Sequence, residues 1–187
     1  MQASSLLSHH LQKIILACDT EPALDLACGT GRNGLTLLAS GIPVVFADRD
    51  SASLQQIHRH LAALPNKRQK ELSRIWQIDL EIPSTRPLEG AAFGAIMVFC
   101  YLHRPLLEDI KKAAIPGGLV IYETFTVDQA KIGRPRNPDF LLQRGELHDC
   151  FADWNILHSF EGIERDPASG QQRAIAQLVA KKPATFL

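Results

Sequence analysis

A glycine-rich turn flanked by two carboxylates carries the first chemical signal. Gly29-Thr30-Gly31-Arg32-Asn33-Gly34 matches G-x-G-x-x-G, and Asp48 follows Gly29 by nineteen positions. Glycines at such a turn let the backbone bend sharply and approach a ligand, and a carboxylate at the end of the next strand can accept both hydroxyls of a ribose. The pattern predicts a nucleotide-like cofactor. Glycines that serve only a tight turn, and an Asp48 that only caps a helix, are the plainer readings of the same residues. Asp25, four positions before Gly29, narrows the choice. A dinucleotide-binding strand normally carries an apolar residue there, because an unpartnered buried carboxylate is costly.

These residues need strands and helices to hold them. Leu6, Leu7, Leu11, Ile14, Ile15 and Cys18 recur at three- and four-residue spacings, which predicts an amphipathic helix within residues 1–20. Residues 23–27 form a short apolar run before the glycine turn, and Leu35, Leu37 and Leu38 follow before Gly41 and Pro43. That is a strand, a turn, a helix and a stop. The unit repeats at 43–48 with Leu54, Ile57 and Leu61, and further strands are expected at 75–80, 95–101 and 119–124. Leu106, Leu107, Ile110, Ala113 and Ala114 mark the helix before the last of these, with Pro116-Gly117-Gly118 ending it. Alternating strands and helices predict five parallel strands with helices on both faces. Trp154, Ile156, His158 and Phe160, then residues 174–180 after a turn at 167–170, read as a terminal antiparallel hairpin. The expected architecture is a single α/β domain over 1–187 with a mostly parallel seven-stranded sheet. Residues 125–148 break the periodicity and hold Gly133, Pro135, Pro138 and Gly145, a long connection of the kind that often serves as a lid over a substrate.

Leu24-Asp25-Leu26-Ala27-Cys28-Gly29-Thr30-Gly31 closely resembles the first motif of class I S-adenosylmethionine-dependent methyltransferases. The likeness continues through Asp48 and Asp79, through the strand ending in Phe99-Cys100-Tyr101, and through Pro116-Gly117-Gly118-Leu119. It implies a Rossmann-like fold and S-adenosylmethionine as cofactor, with S-adenosylhomocysteine as product. Contacts are implied from Asp25, Ala27, Cys28, Gly29, Gly31, Asp48, Arg49, Asp79, Leu80 and Phe99. Asp25 would orient the glycine loop and the methionine end, Asp48 would hold the ribose, and Asp79 would meet the adenine amino group. Asp79 in a solvated loop is the plainer alternative.

Methyl transfer from a sulfonium is an in-line displacement in which the protein chiefly positions the reactants and excludes water. The stretch Phe99-Cys100-Tyr101-Leu102-His103 lacks the Asn/Asp-Pro-Pro-aromatic string frequent among amide- and base-N-methylating relatives, which argues against adenine amines as acceptors. His103 is the candidate base, because imidazole titrates near neutrality and the residue lies just past the fourth strand. Tyr101 could orient the acceptor or line the cofactor pocket, and Glu123 could serve as acceptor ligand or base. Residues 131–148 carry Lys131, Arg134, Arg136 and Arg144 against Asp139 and Glu146, a local +2 (four minus two). Arg134, Arg136 and Arg144 are candidate contacts for an anionic substrate group; a solvated charged loop is the alternative. Glu123-Thr124-Phe125 with Gly133-Arg134-Pro135-Arg136-Asn137-Pro138 resembles the tellurite-resistance-type subgroup of these enzymes. That likeness implies a small, anionic or soft acceptor.

The composition narrows the field. Lys plus Arg (20) balances Asp plus Glu (20), so no global field recruits nucleic acid or anionic membrane. Four cysteines lie far apart and the histidines form no spaced ligand set, so neither a disulfide framework nor a metal site is expected, and a reducing cytoplasm fits. An RNA or protein methyltransferase clamping its substrate with 131–148 is the competing enzyme reading, separable by salt dependence. A non-catalytic S-adenosylmethionine-binding module would never release S-adenosylhomocysteine.

Overall fold

The two βα units read from the sequence lie side by side at the centre of one sheet. The computed structural model describes residues 3–166 and 169–184, so Pro167 and Ala168 of the expected hairpin turn lie outside the described residues. In chain order the elements are α1 (Ser5–Ala17), β1 (Ala23–Leu26), α2 (Arg32–Ala39), β2 (Val44–Asp48), α3 (Ser51–Ala63), α4 (Lys67–Glu71) and β3 (Ser73–Gln77). Then come β4 (Phe93–Phe99), α5 (Leu107–Ala113), β5 (Ala114–Phe125), α6 (Gln129–Ile132), α7 (Glu146–Cys150), β6 (Asn155–Arg165) and β7 (Gln172–Lys181). The sheet order is β3-β2-β1-β4-β5-β7-β6. The five strands from β3 to β5 run parallel, and β7 enters antiparallel between β5 and β6.

Helices cover both faces, which is why the central strands are apolar almost throughout. Leu24, Leu26, Ile96, Val98 and Tyr122 pack toward Leu106 and Ile110 of the α5 side and toward Phe151 and Trp154. On the opposite face Phe46, Met97 and Ile121 pack with Leu6, Leu7 and Ile14 of α1 and with Leu37 and Ile57 of α2 and α3. Each such side chain contributes about 1.5–3 kcal/mol on leaving water. In β1 the alternation puts Asp25 on the α1–α3 face, in register with Phe46 and Met97.

Several boundaries differ from those expected. β5 begins at Ala114 and takes in Pro116-Gly117-Gly118, because Gly117 at φ 78° lets the chain turn directly from α5 into a strand whose register shifts opposite Phe93 and Ala95. The short helix α4, started by Asn66 accepting the Arg68 N–H, carries too few apolar residues to show a period. β4 ends at Phe99, where Cys100 at φ 55° turns the chain away from the sheet. Segment 125–148 contains α6, the start of α7 and a 3₁₀ turn at Pro138–Phe140, tied together by a bridge between Thr126 and Leu142.

Candidate functional site

The carboxyl ends of β1 and β2 hold the glycine turn from both sides. Gly29 donates its N–H to Asp48 Oδ2 at 2.7 Å, and Asp50 donates to Asp48 Oδ1 at 2.8 Å. At the other end of the turn, the Gly34 N–H donates to Asp25 Oδ2 at 2.8 Å. Three residues here are left-handed: Ala27 (φ 52°), Gly29 (φ 53°) and Gly31 (φ 76°). At Ala27 this conformation costs about 1–2 kcal/mol, offset in part by the next amide, Cys28 N–H, donating to Ala47 O at 3.0 Å. A side chain at Gly29 would project into open space, so the turn leaves room beside Asp48.

Asp25 is 3% exposed, and burial pushes its carboxyl up to about 7. The Gly34 hydrogen bond and the charge of Arg32 oppose this, while Asp48 adds to it. A carboxyl raised in the folded state binds more protons than its unfolded counterpart between the ordinary carboxylate value and about 7. Stability must therefore fall as pH rises through that window and level off above it. Thermal unfolding of the ligand-free protein at a series of pH values checks this: the wild type should lose stability relative to Asp25→Asn from pH 4 to 7, and a constant difference would refute it.

A cleft of about 470 Å³ opens beside Asp48, within the range of small-molecule sites. One half is lined by Asp48, Arg49, Asp79, Leu80 and Glu81, an arrangement of carboxylates and an apolar floor suited to a nucleoside. Asp79 Oδ1 accepts the Glu81 N–H at 2.9 Å, and Glu81 pairs with Arg49 at 3.3 Å, so this rim is held by its own turn. The other half is lined by Cys100, Tyr101, Leu102, Phe125, Pro135 and Phe140. The Tyr101 hydroxyl is buried beside the Glu81 carboxylate; burial, then the Glu81 charge, raises its pKa, so it stays protonated and can donate.

The residues singled out from the sequence fall into three groups. Ala27, Asp48, Arg49, Asp79, Leu80 and Tyr101 line the cleft. Asp25, Cys28, Gly29, Gly31 and Phe99 lie behind or beside it: Phe99 and Cys28 pack toward the α1–α3 face, and burial pushes the Cys28 thiol up. A third group lies outside. His103 lines a neighbouring groove with Ile82, Pro105 and Asp109. Glu123, 2% exposed, spends its carboxylate on Gln177 Nε2 (2.9 Å), Arg173 Nη1 (3.4 Å) and Ser4 Oγ (3.4 Å). Arg134 and Arg136 border a groove beyond Phe140, and Arg144 pairs with Asp128 at 2.9 Å.

Sequence reasoning passed over the side chains that shape this second half of the cleft. Phe125, Pro135 and Phe140 are apolar, but so are Val127, Ala130, Ile132, Leu141, Leu142 and Leu147 of the same segment, so no local signal marks them. Arg104 fixes that segment: it grips Glu146 at 2.6 and 2.9 Å and donates to the Leu141 carbonyl at 2.8 Å. Buried Gln129 does the same for the Pro135 turn, donating to Arg134 O at 2.8 Å and accepting the Ala174 N–H at 2.7 Å. Only the folded chain brings these partners together. Among the described residues no group of three His, Cys, Asp or Glu side chains could hold a metal ion, and no helix is long and apolar enough to cross a membrane.

The sheet order and the glycine turn define a Rossmann-like methyltransferase fold. A SAM-dependent methyltransferase from Methanosarcina mazei superposes with a TM-score of 0.68 at 12% identity, covering 98% of this chain and 100% of that one. The glycopeptide N-methyltransferase MtfA, solved with sinefungin, matches with a TM-score of 0.65 at 14% identity over 97% of this chain and 88% of its own. TehB from Haemophilus influenzae gives a TM-score of 0.68 at 20% identity over 92% of this chain; the match spans 62% of the TehB chain. The sequence matches the tellurite resistance protein TehB family over residues 7–171, and the chain belongs to that family. No curated protein matches it by sequence.

Proposed function

We propose that this chain is an S-adenosylmethionine-dependent methyltransferase acting on a small, anionic or soft acceptor. The carrying observation is the cleft at the carboxyl ends of the parallel strands, where Asp48 both braces the glycine turn and faces the space that Asp79 and Leu80 line. Those residues fit the group: the open side of Gly29, the carboxylates and the apolar floor suit a nucleoside with a cationic tail. Membership of the TehB family and a neighbour, MtfA, solved with S-adenosylmethionine support the same reading.

Asp48 would hold the ribose, Asp79 and Leu80 the adenine, and the 29–31 backbone the methionine end, while Asp25 acts through the turn it braces. When bound, the cofactor supplies a methyl group activated on a sulfonium. Tyr101 orients the acceptor with its hydroxyl, and Phe125, Pro135 and Phe140 exclude water. Binding measured by calorimetry with S-adenosylhomocysteine, alongside NAD, tests the cofactor, and release of S-adenosylhomocysteine tests turnover. Tight NAD binding instead would sink the proposal. Tyr101→Phe should lower kcat about two- to tenfold, the scale of one net hydrogen bond, and by more than His103→Asn. The reverse order would make His103 the acceptor-side group.

A further inference from the structure

Among the described residues, no free cation lines the acceptor half of the cleft. Its walls are Phe125, Pro135, Phe140, Cys100, Tyr101 and Leu102. Among the described residues the one cationic side chain lining the cleft, Arg49, is paired with Glu81, and Asp48 and Asp79 add two more carboxylates. A small oxyanion sheds its water only where hydrogen-bond donors replace it. Here it would meet carbon, carboxylates, the weakly donating Cys100 thiol and the Tyr101 hydroxyl.

The arginines stand further out. A groove of about 610 Å³ shares Phe125, Pro135 and Phe140 with the cleft and adds Arg134, Arg136 and Asn137. Lys131 and Arg144 are both taken up by Asp128, at 2.6 and 2.9 Å. Among the described residues neither Arg134 nor Arg136 has a carboxylate partner; Arg136 Nε reaches only the Gly133 carbonyl, at 3.3 Å. The two candidate bases read from the sequence lie off the cleft, His103 in its own groove and Glu123 in its buried ion pair. A nucleophile that ionises by itself at neutral pH suits such a site.

We propose that the acceptor is an aromatic thiol bearing an anionic group at the end remote from its sulfur, with the sulfur at Tyr101 and Cys100, the ring between Phe125, Pro135 and Phe140, and the anion at Arg134 and Arg136. This rests on the methyl-transfer reading above. The thiol loses its proton to solvent before transfer. The thiolate lone pair forms the new S–C bond to the methyl carbon, the sulfonium S–CH₃ bond breaks, and its electron pair stays on the departing sulfur. The products are an aryl methyl thioether and S-adenosylhomocysteine. Aromatic walls favour a ring over an aliphatic chain through edge and stacking contacts.

The test uses the whole protein with S-adenosylmethionine and measures S-adenosylhomocysteine release with 4-mercaptobenzoate, thiophenol, selenite and tellurite. The kcat/KM for 4-mercaptobenzoate should exceed that for thiophenol by about three- to fivefold, as a partly exposed ion pair gives. The double variant Arg134→Ala/Arg136→Ala should erase that preference while thiophenol turnover persists. Phe140→Ala should lower both thiols about three- to tenfold with cofactor affinity kept. Three results overturn the proposal: a higher kcat/KM for selenite or tellurite than for either thiol, equal losses for charged and neutral thiols in the arginine variant, or calorimetric binding of S-adenosylmethionine with neither thiol methylated. Failure to bind S-adenosylmethionine at all would instead bring down the methyl-transfer reading itself.

Discussion

Gly34→Ala is expected to destabilise the free protein by about 3 kcal/mol and to abolish measurable binding of S-adenosylhomocysteine. In an exposed helix the same change would stabilise by up to about 1 kcal/mol, so the neighbours decide the sign. A Cβ at Gly34 would collide with the Phe46 ring, which is fully buried, and would stand 2.8 Å from Asp25 Oδ2. Neither can give way: Phe46 is wedged between sheet and helices, and moving Asp25 breaks the hydrogen bond from the Gly34 amide. A buried carboxylate left without that donor costs about 1.5–3 kcal/mol beyond the overpacking. Gly29→Ala is the contrast. Its Cβ would meet nothing, so only the left-handed backbone (φ 53°) is penalised, by about 1–2 kcal/mol. Urea unfolding of both variants measures the difference, and a Gly34→Ala protein as stable as the wild type would refute the packing argument.

Asp48→Ala should weaken S-adenosylhomocysteine binding by about 1.5–3 kcal/mol, roughly 10- to 150-fold, the scale of hydrogen bonds to a charged acceptor. The carboxylate has two tasks that the variant removes together: it accepts the Gly29 and Asp50 amides, at 2.7 and 2.8 Å, and it faces the cleft. Adenosine separates them. If Asp48 holds the ribose, adenosine affinity falls by the same factor as that of S-adenosylhomocysteine. If Asp48 only braces the turn, the nucleoside is spared and the loss falls on the methionine end. Calorimetry with both ligands decides, and unchanged affinity for each removes Asp48 from the site.

The sequence by itself determined the parallel half of the sheet and the glycine turn, because both are local. Each βα unit writes its own signal: an apolar run such as Val44-Val45-Phe46-Ala47, a turn, then leucines at helical spacing. Asp25 and Asp48 were legible for the same reason, since a fixed number of residues separates a strand end from the turn it supports. The tertiary structure alone decided the wall of the cleft formed by segment 125–148 and the surroundings of Glu123. β7 inserts antiparallel between β5 and β6, and this carries Arg173 and Gln177 to Glu123 from about fifty residues away, turning a candidate base into a buried ion pair. In segment 125–148 the chain has no period to say which side chain faces inward. That choice was made by distant anchors, Arg104 on Glu146 and Gln129 on the Ala174 amide, which bring Pro135 and Phe140 to the cleft and leave Arg134 and Arg136 at its outer groove.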